Sequence, residues 1–233
     1  MKRHSKMTLG ASALALVIAA SVAPSAAQAN DDRSGSKRDV TLHAELTELN
    51  GSGASGTARA EIRRERIKTI EIHAEGLTPN APHAQHIHYG EQALNECPTL
   101  ALDSNGDGRL NTVEGVPAYG PVVLSLTTKG DTSPASFLDV SRMPVSVNGE
   151  YHYRENNLRF TAVAGTGYPG ADGTGTAKQI AEAVRDGEGV VVIHGQDYDG
   201  NGSYNFSNPE GASELDPTLP AEATDPVACG VLK

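Results

Sequence analysis

Two histidines that lie two residues apart, His86 and His88, are the part of the sequence with the clearest chemical potential. On a β-strand this spacing places both imidazoles on one face, while Ile87 points to the other. A third histidine, His194, ends an apolar, Val-rich run that is typical of a buried strand. Imidazole is a good ligand for copper, zinc, iron and nickel, so the three residues predict a transition-metal site. Histidines at this spacing can also be packed or solvated without a metal, and the spacing alone leaves both interpretations open.

The surroundings of these histidines resemble the copper/zinc superoxide dismutase family. The shared anchors follow the family's order along the chain: Gly-Leu-Thr-Pro at 76–79, His83, His86, His88, Gly90, Cys97, Val-Val-Ile-His194, and Ala-Cys229-Gly-Val near the C-terminus. The match covers residues 53–97 and 189–232, whereas residues 98–188 match poorly. The resemblance implies a Greek-key β-sandwich or barrel. It also implies an exposed copper ion on catalytic ligands His86, His88 and His194, and a structural role for His83.

The family dismutates superoxide by cycling its copper, so the resemblance implies superoxide as a substrate. Two departures bear on this expectation. The family's copper–zinc bridging histidine would stand six residues after Cys97, where this chain has Asp103, and no further zinc histidines follow. The family's superoxide-guiding arginine would stand three residues before the last cysteine, where this chain has Pro226. The sequence therefore predicts copper without zinc, and it leaves dismutase activity undecided.

Two other functions remain open at this point. A non-catalytic copper-binding protein, used for storage, delivery or sequestration outside the cell, would need the same three histidines. A metal-independent or calcium-stabilised structural module is the other alternative. Secreted CHRD-type domains carry a similar short His-Ile-His motif in a β-rich setting and resemble residues 76–90. That alternative predicts no copper and leaves the terminal Ala-Cys-Gly-Val segment unexplained.

Residues 103–114 match the twelve-residue calcium loop of EF-hands. Its oxygen ligands would come from Asp103, Asn105, Asp107, the Arg109 carbonyl and Glu114, with Gly108 at the sharp turn. An EF-hand needs flanking helices, and Pro98 and Gly115 disfavour long ones, so a plain Asn/Asp/Gly turn is the alternative. A second acidic loop from Asp197 matches only half the pattern, because Asn208 occupies its twelfth position. It is expected to be a turn or a weak site.

The N-terminal 29 residues have the three parts of a secretory signal peptide. These are a basic start, an apolar stretch at about 9–22, and the cleavage motif Ala27-Gln28-Ala29. The apolar stretch is short and rich in Ala and Ser, so no membrane span is expected in the mature chain. Residues 30–38 are predicted to be a disordered linker and residues 39–233 a single domain. The sequence therefore predicts a secreted, extracytoplasmic protein.

Net charge bears on the choice of partner, and cysteine content bears on the compartment. The formal net charge is −10, and it falls to −13 without the basic residues of the leader. An acidic chain of this kind argues against nucleic acid as a partner. The chain has two cysteines, and in an oxidising compartment Cys97 and Cys229 are expected to form a disulfide. The alternative is two buried thiols.

Short segments of alternating polarity, separated by Gly-rich turns, predict an all-β, antiparallel fold with long loops. One short helix is expected at 177–185, after a Gly-rich loop at 165–175. Aromatic residues make up only 4% of the chain, so the core must be largely aliphatic. His43 and His73 are interpreted as surface or packing residues. His152 is the remaining candidate for a fourth metal ligand, with cross-strand packing as the alternative.

Overall fold

The computed structural model describes residues 39–163, 175–206 and 210–233. The predicted leader, the linker at 30–38, most of the Gly-rich loop and Asn208 lie outside the described residues. Eight strands form one antiparallel sheet: β1 (Val40–Glu48), β2 (Ser55–Arg63), β3 (Arg66–Glu75), β4 (Gln85–His88), β5 (Val122–Ser125), β6 (Tyr151–Arg159), β7 (Val190–His194) and β8 (Pro226–Val231). The predicted all-β class is confirmed.

The strand order in the sheet is β5-β4-β7-β8-β1-β2-β3-β6. Strands β1, β2 and β3 form a meander, and β6 then returns to pair with β3 after β4 and β5 have formed at the other end of the sheet. This is a Greek-key connection rather than an up-and-down one. Two tyrosines of β6 reach across the remaining gap: Tyr151 Oη donates to Gln85 Oε1 at 2.8 Å, and Tyr153 Oη donates to the Thr127 carbonyl at 3.1 Å. The sheet is therefore a nearly closed barrel.

The barrel core follows from alternation along the strands. In β1, Leu42, Ala44 and Leu46 are buried, while their neighbours Thr41 and His43 are exposed. Isoleucine, leucine, valine and alanine supply most of the core, with a few aromatic side chains such as Tyr153 and Phe160. Full burial of one large aliphatic side chain stabilises the fold by about 1.5–3 kcal/mol. The core accordingly forms without any tryptophan.

The described residues contain three α-helices: α1 (Thr112–Tyr119), α2 (Ala177–Ala183) and α3 (Ala221–Thr224). Helix α2 confirms the predicted helix, although the chain continues as a wider turn over Val184–Glu188, with Gly187 at φ 93°. The expectation of only one helix is wrong, because α1 and α3 also form. Short 3₁₀ turns lie at Leu100–Leu102, Pro134–Ser136 and Val140–Arg142. None of the described helices is long and apolar enough to cross a membrane.

Helix α1 forms a second layer outside the barrel. It begins with a capping box, in which Asn111 Oδ1 accepts from the Glu114 amide at 3.0 Å and Glu114 Oε2 accepts from the Asn111 amide at 3.2 Å. Its apolar side chains belong to a cluster on the outer side of the sheet: Leu49, Val116, Tyr119, Val122, Val190, Val192 and Cys229. The predicted Cys97–Cys229 disulfide is present, with Cα atoms 5.7 Å apart. It ties the segment before α1 to strand β8.

Candidate metal centre

Strands β4 and β7 bring the three predicted histidines together. The two strands pair antiparallel, with His86 opposite Val192. His194 lies two residues beyond Val192 on the same face, so it is a diagonal neighbour of His86. Ile87 and Ile193 point the other way, into the barrel core. One ligand atom of each histidine lies within 4.8 Å of the other two, which confirms the predicted cluster.

Backbone carbonyls fix the protonation of each ring. His86 Nε2 faces the Phe137 carbonyl at 3.0 Å. His88 Nδ1 faces the Gly120 carbonyl at 2.8 Å, and His194 Nδ1 faces the Thr224 carbonyl at 2.6 Å. A carbonyl oxygen only accepts, so each of these ring nitrogens must carry the proton and donate. The opposite nitrogen of each ring is left with a free lone pair.

Those three free nitrogens, His86 Nδ1, His88 Nε2 and His194 Nε2, are buried and have no hydrogen-bond partner among the described residues. A buried polar atom without a partner costs about 1–3 kcal/mol. Three such atoms converging on one point are unfavourable unless something binds there. Ordinary packing histidines would have both nitrogens satisfied, as buried polar groups generally do. The donor set therefore fits a metal ion that prefers imidazole ligands.

The cluster is buried rather than exposed. The exposed fractions of the side chains are 3% for His86, 0% for His88 and 3% for His194. The expectation of an exposed copper on the sheet face is wrong, because α1 and the 3₁₀ turns at 134–142 cover that face. The ring of Tyr119, at the end of α1, lies 4.5 Å from the ring of His88 between centroids.

Burial also controls the charge of the cluster. Loss of water, with a smaller contribution from the neighbouring His194, lowers the pKa of His88 to about 3, and loss of water lowers the pKa of His194 to about 4. The pKa of His86 falls well below its usual value for the same reasons. All three rings are neutral at pH 7. The cluster can therefore accept a metal ion without first losing a proton.

Gly120 shows how closely the surroundings of the site are packed. Its φ of 83° lies in the region that favours glycine, and an added Cβ would lie 2.6 Å from the Gly90 amide nitrogen. The carbonyl of this residue is the acceptor for His88. A side chain at position 120 would therefore displace the group that orients one ligand.

The other histidines lie outside the cluster. His83 is fully buried, with its ring nitrogens facing the His194 carbonyl at 2.9 Å and the Thr78 carbonyl at 3.1 Å. These contacts fit the structural role implied for His83. His152 stacks on His73 on the outer face of β3 and β6, so it packs across strands instead of serving as a fourth ligand. Over 39–163, 175–206 and 210–233, no fourth His, Cys, Asp or Glu joins the three.

A small pocket beside the cluster is apolar and uncharged. It is lined by His86, His194 and these residues: Ala84, Thr112, Phe137, Leu138, Val140, Leu215, Ala223 and Thr224. The lining includes no lysine, arginine or carboxylate. The side chains that line this pocket therefore offer no charge that would attract an anion.

The loop at 103–114 folds as a compact turn in which the side chains of the predicted ligands accept hydrogen bonds from the protein. Asp103 accepts from the Gly106 and Gly108 amides, and Glu114 Oε1 accepts from the Ser104 amide at 2.8 Å. The Arg109 side chain forms a largely buried ion pair with Asp225 and Glu214, both at 2.5 Å. A calcium ion bound in this loop would have to replace several of these hydrogen bonds. Calcium binding here stays a prediction.

A second carboxylate group was missed by sequence reasoning. Asp197 and Asp199, from the later acidic loop, lie with Glu222 of α3, and one oxygen of each lies within 4.8 Å of the others. Glu222 is fully buried and accepts from the amides of Tyr198 and Asn205, both at 2.9 Å. The loop motif gave no signal for Glu222, because this residue lies beyond the twelve loop positions.

No protein-family model matches the chain, and no curated protein shows significant similarity to it. The resemblance to superoxide dismutases thus stays a prediction from local motifs, and the function has to be argued from the geometry of the histidine cluster.

Proposed function

We propose that this protein binds one copper ion through His86 Nδ1, His88 Nε2 and His194 Nε2. The observation that carries the proposal is the convergence of three buried, unpaired nitrogens whose protons are held on the opposite side of each ring. Copper is favoured over zinc for such a donor set by the general order of divalent affinities. A copper-free structural module of the CHRD type gives no reason for three unsatisfied nitrogens at one point.

Superoxide dismutation is the reaction that the family resemblance supports. A copper ion on three imidazoles supplies one-electron chemistry, by which two superoxide ions and two protons give dioxygen and hydrogen peroxide. The chain's own part is to hold the three rings and to limit access through the apolar pocket. The ring N–H groups are already donated to carbonyls, and no acidic side chain lines the pocket. Protons would accordingly come from solvent.

Non-catalytic copper binding is the second candidate, and the burial of the cluster favours it. The lining of the pocket beside the cluster carries no positive side chain, and the whole chain is negative, so no protein charge at the pocket steers a superoxide anion to the ion. A buried site of this kind suits retention of the ion. Storage, delivery or sequestration would use the same three ligands.

We place either activity outside the cytoplasm. The Cys97–Cys229 disulfide is compatible with an oxidising compartment. The leader-like sequence at 1–29 supports export.

Copper binding is tested by metal analysis and electron paramagnetic resonance of the purified protein after loading with Cu²⁺ and removal of excess ion. We expect one tightly held copper in the wild type, loss of that copper in His88→Gln, and its retention in His43→Gln, a matched change at an exposed position of β1. A His88→Gln variant that keeps this copper would overturn the proposal. Superoxide decay after pulse radiolysis then separates the two candidates, because only the dismutase accelerates decay beyond the His88→Gln baseline.

A further inference from the structure

The outer face of the barrel carries a second pair of histidines, on strands β3 and β6 rather than on β4 and β7. His73 on β3 and His152 on β6 are directly opposite each other in the register of the two strands. Their ring centroids are 3.9 Å apart and their planes are 13° from parallel. Both side chains are exposed. The fold therefore brings two imidazoles from distant parts of the sequence into contact on an open surface.

Neither ring has a hydrogen bond to a protein group in the described part of the chain, so the four ring nitrogens have no protein partner. Opposite residues on paired antiparallel strands have Cβ atoms about 4.5–5.5 Å apart. Exposed imidazoles can turn about their side-chain bonds. One nitrogen from each ring can then reach a shared ion at about 2.0–2.1 Å, the usual metal–imidazole distance. Two cross-strand histidines are sufficient for a bidentate site.

The surroundings of the pair favour a cation. The two rings line an open groove of about 830 Å³, together with Glu75, Glu150 and Tyr151. Glu75 follows Ala74 and Glu150 precedes Tyr151, the residue paired with Ala74 on the antiparallel strand, so both carboxylates lie at the same end of the strand pair. No lysine or arginine lines the groove. On the other side of the pair, Arg154 of β6 is held by Glu71 of β3 in an ion pair. The two carboxylates that line the groove beside the imidazoles therefore stabilise a bound divalent ion.

We propose that His73 and His152 form a second, exposed metal site for a divalent transition-metal ion, with water in the remaining coordination positions. Cu²⁺ should bind there most tightly of the first-row divalent ions. The site does not depend on the buried cluster, because it uses different strands and different ligands. Its open coordination positions suit reversible capture of ions from the surroundings rather than permanent retention.

The test is a calorimetric titration of the full, disulfide-bonded protein with Cu²⁺ alone, repeated on four variants. Beside the equivalent expected at the buried cluster, we expect one further binding equivalent that disappears in both His73→Gln and His152→Gln and remains in His43→Gln. The His43→Gln variant is the matched control, since His43 is an exposed histidine of β1 whose cross-strand neighbour on β2 is Arg59. Circular dichroism verifies that each variant is folded.

The same equivalent should remain in His88→Gln, which removes only the buried site, so the two proposals fail independently. An unchanged number of binding equivalents in both His73→Gln and His152→Gln, relative to the wild type, would overturn the second site. Loss of the same equivalent in His43→Gln would also overturn it, because binding would then depend on surface histidines in general.

Discussion

The copper-free protein should lose stability steeply as the pH falls from 6.5 towards 4, because of its buried histidines. In the unfolded chain a histidine takes up a proton below about pH 6.5. In the folded protein burial lowers the pKa of His88 to about 3 and that of His194 to about 4. The unfolded state therefore binds more protons in this window. The stability that neutral rings provide is fully present above pH 6.5 and is lost as the pH falls through the folded pKa values.

The size of the effect follows from the two shifts. Each unit of pKa shift corresponds to about 1.4 kcal/mol, so His88 contributes about 5 kcal/mol and His194 about 3 kcal/mol. Together these amounts are comparable with the whole unfolding free energy of an ordinary domain, about 5–15 kcal/mol. The copper-free protein is accordingly expected to unfold in mild acid. Each buried histidine adds a slope of up to about 1.4 kcal/mol per pH unit inside the window.

Urea denaturation of the copper-free protein at a series of pH values from 4 to 7.5 measures this slope. The decisive comparison is between the wild type and His88→Gln, which keeps a polar side chain of similar size but does not titrate. Other groups that titrate in this range, such as Asp225, cancel in the comparison. The variant should have a slope lower by about 1.4 kcal/mol per pH unit. The exposed change His43→Gln serves as the control, and equal slopes in the wild type and His88→Gln would refute the reasoning.

Three further changes test the fold around the centre. Replacing both Cys97 and Cys229 by Ala should lower the unfolding free energy by about 5 kcal/mol, because the disulfide closes a loop with a sequence separation of 132 residues. An unchanged urea midpoint would contradict this. Arg109→Met should lower the unfolding free energy by about 3–5 kcal/mol, because it leaves the buried Asp225 without its charge partner. Burial already raises the pKa of Asp225 to about 7. A loss below about 1 kcal/mol would show that the ion pair is dispensable. Glu114→Ala should lower the unfolding free energy by about 1–2 kcal/mol, and with it the urea midpoint, through loss of the capping box of α1. The control is the exposed change Glu45→Ala, which should leave the urea midpoint unchanged.

The sequence determined the elements whose signals are local. The two-residue spacing of His86 and His88 was enough to place both rings on one strand face, since side chains alternate along any β-strand. The apolar run before His194 predicted a buried strand, and the helix at 177–185 followed from its apolar stripe. With only two cysteines in the chain, the disulfide had a single possible pairing. Each inference needed only short-range geometry or counting.

Helix α1 was accessible from the sequence but was not predicted. Asn111 and Glu114 have the spacing of a capping box, which signals a helix start. The same Glu114 also fits the last position of a calcium loop, and that interpretation took precedence. The structure uses its carboxylate for the helix start and the preceding turn.

The tertiary structure alone decided the environment of the metal centre. The acceptors for the three rings are the carbonyls of Phe137, Gly120 and Thr224, and a backbone carbonyl has no signature in the sequence. Whether the rings were exposed depended on α1 and the turns at 134–142 packing over the sheet face. The contact of His73 with His152 likewise depended on β6 returning beside β3. Such long-range pairings arise from the packing of the whole chain, and no local pattern of residues encodes them.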